Sequence, residues 1–462
     1  MAASLIKALS RQLAAVAIAM SVLIMAAPQA AAQGLIRDAE IENTLRAYTD
    51  PLLVAAGLEP SDVDMYIVSD PSVNAFVAGG QNIFVHTGLI LAADTPNEVI
   101  GVLAHETGHI SGGHGARRAQ DMERAIGPML LSIGLGVLAI AAGAPDAGAA
   151  LISGSQAFAM GDIVRHTQVQ ESSADQAGMQ FLEATGQSGR GLITFFNTQI
   201  RPYEFMTRRA PAWMMTHPFS SDRVEALRER VQSSPNYDAV DSPENIRRFQ
   251  FMQAKLVGFI HTQGQTLARY PVRDTSQPAR YARAVAYYRV SDLTRARAEL
   301  EVLMGEDPNN PYFQELMGQI LFENGRAAES IPYHRRSLEL APNQPLLQIN
   351  LARALSAANG RAGADEAVAL LQAATAREPD NAFAWRELAS ARDLRGEQGL
   401  AELASAEQNF ALGDYGAALS FAERARRTLP RNTPSYQRAN DIVTFAGNEM
   451  RDREGQQRGR RS

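Results

Sequence analysis

The stretch Leu103-Ala104-His105-Glu106-Thr107-Gly108-His109-Ile110 constrains this chain more than any other. Residues four apart on a helix share a face, so the imidazoles of His105 and His109 can reach one metal ion. Glu106 is then placed to take a proton from a water that the metal has acidified to a pKa of about 7. The chemistry needs a helix, and the flanks predict one. Thr95-Pro96-Asn97-Glu98 reads as a capping box, with Thr95 as N-cap, Pro96 in the first helical position and Glu98 reaching back. Val99, Val102, Leu103 and Ile110 supply apolar surface to bury, and Gly112-Gly113 ends the run. The competing reading is a chance match on a core helix. It has to meet the scarcity of histidine, 8 of 462 residues.

The chain has no cysteine, which excludes a thiolate zinc site and a disulfide framework. Further donors must therefore be histidines or carboxylates. Arg165 to Ala184 reads as helical and contains Gln170-Glu171-Ser172-Ser173-Ala174-Asp175. A catalytic Zn2+ takes three protein ligands and keeps one position open, and His-His-Glu is a known set, so Glu171 is the candidate third ligand. Asp175 follows one turn later on the same face and can accept the second N–H of a ligating histidine, fixing its tautomer. Alone, these two acids would read as a solvated helix face; the upstream motif favours the metal reading. The expectation is one Zn2+ per chain.

Downstream, His217 precedes Pro218, which keeps it out of a helix. Two roles stand for it: a hydrogen-bond donor to a developing oxyanion, or a gate over the metal. Arg223 could pair with a site carboxylate or with substrate. Without context, these two are a loop histidine and a surface arginine.

Upstream, Asp38 to Leu58 reads as an amphipathic helix through Ile41, Leu45, Tyr48, Leu52 and Leu53, closed by Gly57. Three short strands follow, Met65–Val68, Asn74–Val77 and Asn82–Val85, the last two joined at Gly79-Gly80. An exposed strand here could hold an extended peptide by β-augmentation, which makes Asn74, Ala75 and Phe76 candidate substrate-binding residues. The alternative is a hairpin that only buries Phe76 and Phe84.

The ends and the middle carry other signals. Lys7 and Arg11, then the apolar Leu13–Ala27, then Pro28-Gln29-Ala30-Ala31-Ala32 read as a secretory signal cut after Ala32; an uncleaved anchor is the other reading. Loss of Lys7 and Arg11 takes the net charge from −6 to −8, which gives no electrostatic case for nucleic acid as a partner. Gly127 to Ala144 is 18 residues without a charge, rich in Gly and Ala. It fits a helical hairpin packed on the core, contact with a membrane surface, or a short span. From Pro278 the chain turns to Ala-, Leu- and Arg-rich units. Pro308 and Pro342 stand 34 residues apart, Pro342 and Pro379 37 apart, and Asn324-Gly325 and Asn359-Gly360 mark turns inside the units. A 34-residue helix-turn-helix period ending in proline is the tetratricopeptide pattern, which stacks into a superhelix with a concave binding face.

Taken in order, Asn74-Ala75-Phe76, Gly79-Gly80, Ile83-Phe84, Thr87-Gly88-Leu89, His105-Glu106-Thr107-Gly108-His109, Glu171-x-x-Ala174-Asp175 and His217-Pro218 resemble an M48-family zinc metallopeptidase. The arrangement is that of the secreted, repeat-bearing periplasmic members. The resemblance covers residues 38–230 strongly and the repeats more loosely. It implies an α+β gluzincin-like metalloprotease domain followed by an all-α tetratricopeptide-repeat superhelix. It also implies His105, His109 and Glu171 as zinc ligands, Glu106 as general base, Asp175 behind the ligands and His217 opposite the metal. The expected layout is a signal peptide at 1–32, a protease domain at 33–232, a linker and connecting helix at 233–277, repeats at 278–446 and a disordered basic tail at 447–462. The expected function is a periplasmic zinc endopeptidase acting on polypeptides caught by the repeats, with outer-membrane assembly machinery as their partner. The competing function is a chaperone or scaffold whose protease activity is secondary.

Overall fold

The computed structural model describes residues 34–115, 167–200, 217 and 221–459. The signal-like segment 1–32 and the apolar stretch 127–144 lie outside the described residues. Among the described residues no helix is long and apolar enough to cross a membrane. The chain divides into two compact units, Met1–Leu256 and Val257–Ser462.

In the first unit, β1 (Leu35–Ile36) leads into α1 (Ala39–Ala55). Asp38 caps α1 by accepting from the N–H groups of Glu40 and Ile41, both at 3.0 Å. The apolar stripe foreseen for this helix is its buried face: Ile41, Leu45, Tyr48, Leu52 and Leu53 all lie in the core. Pro51 sits inside the helix. Then come β2 (Met65–Val68), β3 (Ala75–Ala78) and β4 (Asn82–His86). The sheet order is β1-β2-β4-β3, with β2 parallel to β4 and β3 antiparallel to β4. Gly79 and Gly80 turn the β3–β4 hairpin at φ of +60° and +103°, values that glycine adopts without strain. The order leaves β3 on an edge.

Helices α2 (Thr87–Ala92) and α3 (Pro96–Ser111) follow. Thr95 is the N-cap of α3 and Pro96 opens it, as foreseen, but the capping box does not form. The Thr95 side chain makes no capping bond, and Glu98 accepts from the N–H of Asp94 at 3.0 Å, one residue further back. A carboxylate in the first turn still meets an orphan N–H and the positive end of the helix dipole. Helix α3 is central rather than amphipathic at a surface: fourteen of its sixteen residues are buried, His105, Glu106 and His109 among them. Buried polar groups must find partners, and α4, helical over residues 167–184, supplies them. Gly108 lets the two helices touch: a Cβ there would lie 2.5 Å from the carbonyl oxygen of Ala174. Gly178 faces Ala104 in the same way at 3.0 Å. Helices α5 (Arg190–Phe195), α6 (Ser221–Gln232) and α7 (Pro243–Ile260) complete the set.

Among the described residues, the second unit has only helices as its regular elements. It comprises α8 (Gln263–Arg269), α9 (Gln277–Arg289), α10 (Leu293–Glu306), α11 (Pro311–Glu323), α12 (Ala327–Leu340), α13 (Pro345–Asn359), α14 (Arg361–Arg377), α15 (Ala382–Leu394), α16 (Gln398–Ala411), α17 (Tyr415–Thr428) and α18 (Pro434–Gly459). Gly325, Gly360, Gly396 and Gly413 take left-handed conformations at turns, and Ser291 does so at φ +60° without being glycine. Helix α18 runs on through residues 447–459 to Gly459. Its mixed charges include Glu449 four residues before Arg453, a spacing that supports a helix.

Candidate metal centre

Three elements and one loop residue converge here. Helix α3 contributes His105, Glu106 and His109; α4 contributes Glu171 and Asp175; Arg223 comes from the start of α6, and His217 from the chain before it. His105, His109, Glu171 and His217 each offer one ligand atom, and these atoms lie within 4.8 Å of one another. The Nε2 atoms of His105 and His109 are 3.1 Å apart. They approach the Glu171 carboxylate at 3.4 and 3.3 Å. His217 Nδ1 stands 3.2 Å from both Glu171 oxygens and 3.3 Å from His105 Nε2. Its Nε2 meets the carbonyl oxygen of Ala75 at 3.2 Å and lies 3.4 Å from Glu106 Oε1.

The rear of the group is held as tightly. Asp175 Oδ1 lies 2.8 Å from His105 Nδ1, so that nitrogen donates and Nε2 is the one that faces the cluster. Arg223 is buried and bridges the two carboxylates, with Nη1 2.8 Å from Glu171 and Nε and Nη2 on Asp175. Its guanidinium also lies over the Phe196 ring at 5.5 Å. In the opening reading Arg223 had two roles, a site carboxylate or substrate; here it contacts the carboxylates. On the far side His114 Nδ1 lies 2.9 Å from His109 Nδ1. Nothing in the sequence reading gave His114 a role at the site. The available signal was its position five residues after His109, just beyond Gly112-Gly113.

The electrostatics favour a cation. Burial opposes charge on His105, but hydrogen bonds to Asp175 and Glu171 outweigh it and lift its pKa to about 9. The same negative potential that favours a proton at Nε2 favours a metal ion there. Burial pulls His109 down to about 3, keeping its imidazole neutral and able to ligate. For Glu171 burial works against ionisation, but His105, His109 and His217 hold its carboxyl far below the ordinary range. Burial raises Glu106, which His217 and His105 offset only in part. Both carboxylate oxygens of Glu106 are buried without a hydrogen-bond partner. Such an orphan in a packed site points to a reacting group. Imidazole and carboxylate donors without thiolate suit zinc, so the residues present fit the metal.

The expected substrate residues are only partly brought to this centre. Asn74 O accepts from His86 N at 3.0 Å, which makes this a hydrogen-bonded pair across the β3–β4 ladder. Pairs alternate in an antiparallel ladder, so Asn74 and Phe76 direct their main chain at β4, whereas Ala75 and Val77 direct theirs at the open edge. The Phe76 ring stacks on Phe84 with centroids 5.0 Å apart.

Residues 37–231 match the family model described as Peptidase family M48. The beta-barrel assembly-enhancing protease of Yersinia pestis is 26% identical over 385 residues, covering 82% of this chain and 77% of that protein. Its counterpart in Escherichia coli (strain K12) is 26% identical over 401 residues, covering 85% and 80%. The metalloprotease LoiP of Escherichia coli (strain K12) is 29% identical over 180 residues, 38% of this chain and 64% of LoiP.

Proposed function

We propose that this chain, whose residues 37–231 match the peptidase family M48 model, is a zinc endopeptidase of the periplasm that degrades misassembled outer-membrane proteins. The metalloendopeptidase chemistry rests on the metal group. The outer-membrane setting draws on relatives named beta-barrel assembly-enhancing proteases, aligned across both units. Export through the signal-like residues 1–32 is part of the same reading. So is the assignment of residues 278–446 to a tetratricopeptide-type array, supported by its helix pairs and 34-residue spacing. The array would capture the polypeptide or dock on assembly machinery.

His105, His109 and Glu171 would hold the zinc, with Asp175 and Arg223 fixing His105 and Glu171 behind it. The zinc supplies Lewis acidity, acidifying water and polarising the scissile carbonyl. Glu106 accepts the proton of the attacking water and delivers it to the departing amine. Extended substrate pairs with β3 through the main chain of Ala75 and Val77. His217 contacts the Ala75 carbonyl, so it occupies part of that edge until substrate arrives, which favours the gating role over the oxyanion role.

The observation that carries the enzyme reading is Glu106, buried beside the ligands with neither oxygen satisfied. A scaffold has no use for such a group, which costs stability. Glu106→Gln should retain zinc and fold while losing at least about 10²-fold in cleavage of an unfolded protein. Cleavage within tenfold of the parent enzyme would assign the base elsewhere.

A further inference from the structure

The two histidines of α3 are held from behind by different means. His105 Nδ1 meets the Asp175 carboxylate at 2.8 Å, whereas His109 Nδ1 meets the imidazole of His114 at 2.9 Å. His114 is 4% exposed, and its ring stands edge-on to His109 at 78°, with centroids 5.0 Å apart. For Nε2 of His109 to ligate, its proton must sit on Nδ1. That N–H then donates to His114 Nδ1, which must be unprotonated and carry its own proton on Nε2.

The chain is shaped to bring this about. At the end of α3, Gly113 takes φ +62° and reverses the backbone, so His114 folds back over the last turn. Its ring lies against the bare Cα of Gly112: a Cβ there would be 2.4 Å from Nε2 and 2.7 Å from Cε1. Gly112 itself has φ −75° and ψ −11°, a conformation any residue adopts, so its lack of a side chain serves the ring and not the turn.

We propose that His114 is a positioning residue for the metal centre: it fixes the tautomer and ring plane of His109, and Gly112 makes room for it. This rests on the reading of His109 as a ligand. The carboxylate behind His105 is anionic, and the imidazole behind His109 is a neutral acceptor. The hydrogen bond behind His109 is therefore the weaker of the two.

The test uses the full chain and measures zinc affinity by competition with a chromophoric chelator, and the visible spectrum of the cobalt-substituted protein. His114→Phe keeps the ring and removes the acceptor. Outer-shell losses of this kind weaken metal binding by about 10–100-fold. His114→Asn keeps an acceptor at the Nδ1 place and should stay within about threefold of the parent, with the parent cobalt spectrum. Gly112→Ala leaves His114 in the chain but drives a Cβ into its ring. It should weaken zinc as His114→Phe does, although alanine favours the helix. Zinc affinity within twofold of the parent for both His114→Phe and Gly112→Ala overturns the proposal. So does equal weakening by His114→Asn and His114→Phe, which marks a packing role. If His114→Phe fails to fold, the Gly112→Ala and His114→Asn pair decides. Stoichiometric zinc in His109→Ala would instead show that the ligand reading beneath it is wrong.

Discussion

Gly108 lies inside the metal-binding motif without contributing a donor, and replacing it with alanine separates helix packing from ligand chemistry. A Cβ at Gly108 would lie 2.5 Å from the Ala174 carbonyl oxygen and 2.9 Å from its Cα. Ordinary contact begins near 3.4 Å, so α3 and α4 must part by about 0.9 Å, and the obstacle is backbone that cannot rotate away. Ala174 lies between Glu171 and Asp175, so both carboxylates move with it. Metal–ligand distances tolerate about 0.2 Å, several times less than this displacement. Misplacement by about 1 Å costs on the order of 10²-fold in rate. Overpacking costs about 1–3 kcal/mol of stability, offset by about 1 kcal/mol from replacing glycine in a helix. The protein should therefore stay folded while zinc affinity and kcat fall together. Gly178→Ala tests the same contact at 3.0 Å from Ala104, requiring a shift of only about 0.4 Å, and should do the same more weakly. Chelator competition, peptidase kinetics and thermal melting give the three readouts. Parent zinc affinity in Gly108→Ala, or a larger effect from Gly178→Ala, would refute the packing argument.

Further outcomes follow from single side chains. His217→Ala should speed cleavage of an unfolded substrate if His217 gates the site; loss of activity with zinc retained would mark it as an oxyanion donor, and unchanged kinetics would reject both roles. Burial places Glu106 above the usual 4.5, and only its ionised form accepts a proton, so kcat/KM should fall with falling pH through a pKa above 4.5. An acid limb below that value would show a better solvated base. In the second unit, burial lowers His334 on α12 from 6.5 to about 4, with Arg353 adding to the effect. The unfolded chain then binds the proton more readily between these values. The stability is fully present above pH 6.5 and is lost as the pH falls towards 4. The loss is on the order of 3 kcal/mol. Amide exchange of residues 327–340 should quicken over that window, and His334→Leu should flatten the dependence; an unaltered slope in that variant would assign it elsewhere.

Much of the centre was legible because its spacing is local. His105, Glu106 and His109 share one helix, and a helix repeats every 3.6 residues, so their common face follows from numbering alone. Glu171 and Asp175 obey the same rule on α4. Thr95 and Pro96 mark a helix start by chemistry that acts within a turn. Glu98 shows where local rules end: either of two adjacent N–H groups can satisfy its carboxylate, and packing selected Asp94. His114 escapes local rules because the reversal at Gly113 folds it back onto His109, a residue already passed.

By itself, the amino-acid sequence determined which groups could act and the helices that carry them, because period, caps and donor chemistry operate over a few residues. The tertiary structure decided which of those groups meet. His217 reaches His105 from 112 positions away, and the Ala75 carbonyl from 142. Arg223 joins two carboxylates because the start of α6 lies against α4. Strand β3 offers Ala75 and Val77 because the hydrogen-bond phase of the ladder is set by its pairing with β4. Such contacts depend on how closely two surfaces approach. Here that distance is set where Gly108 and Gly178 remove the side chains that would hold α3 and α4 apart.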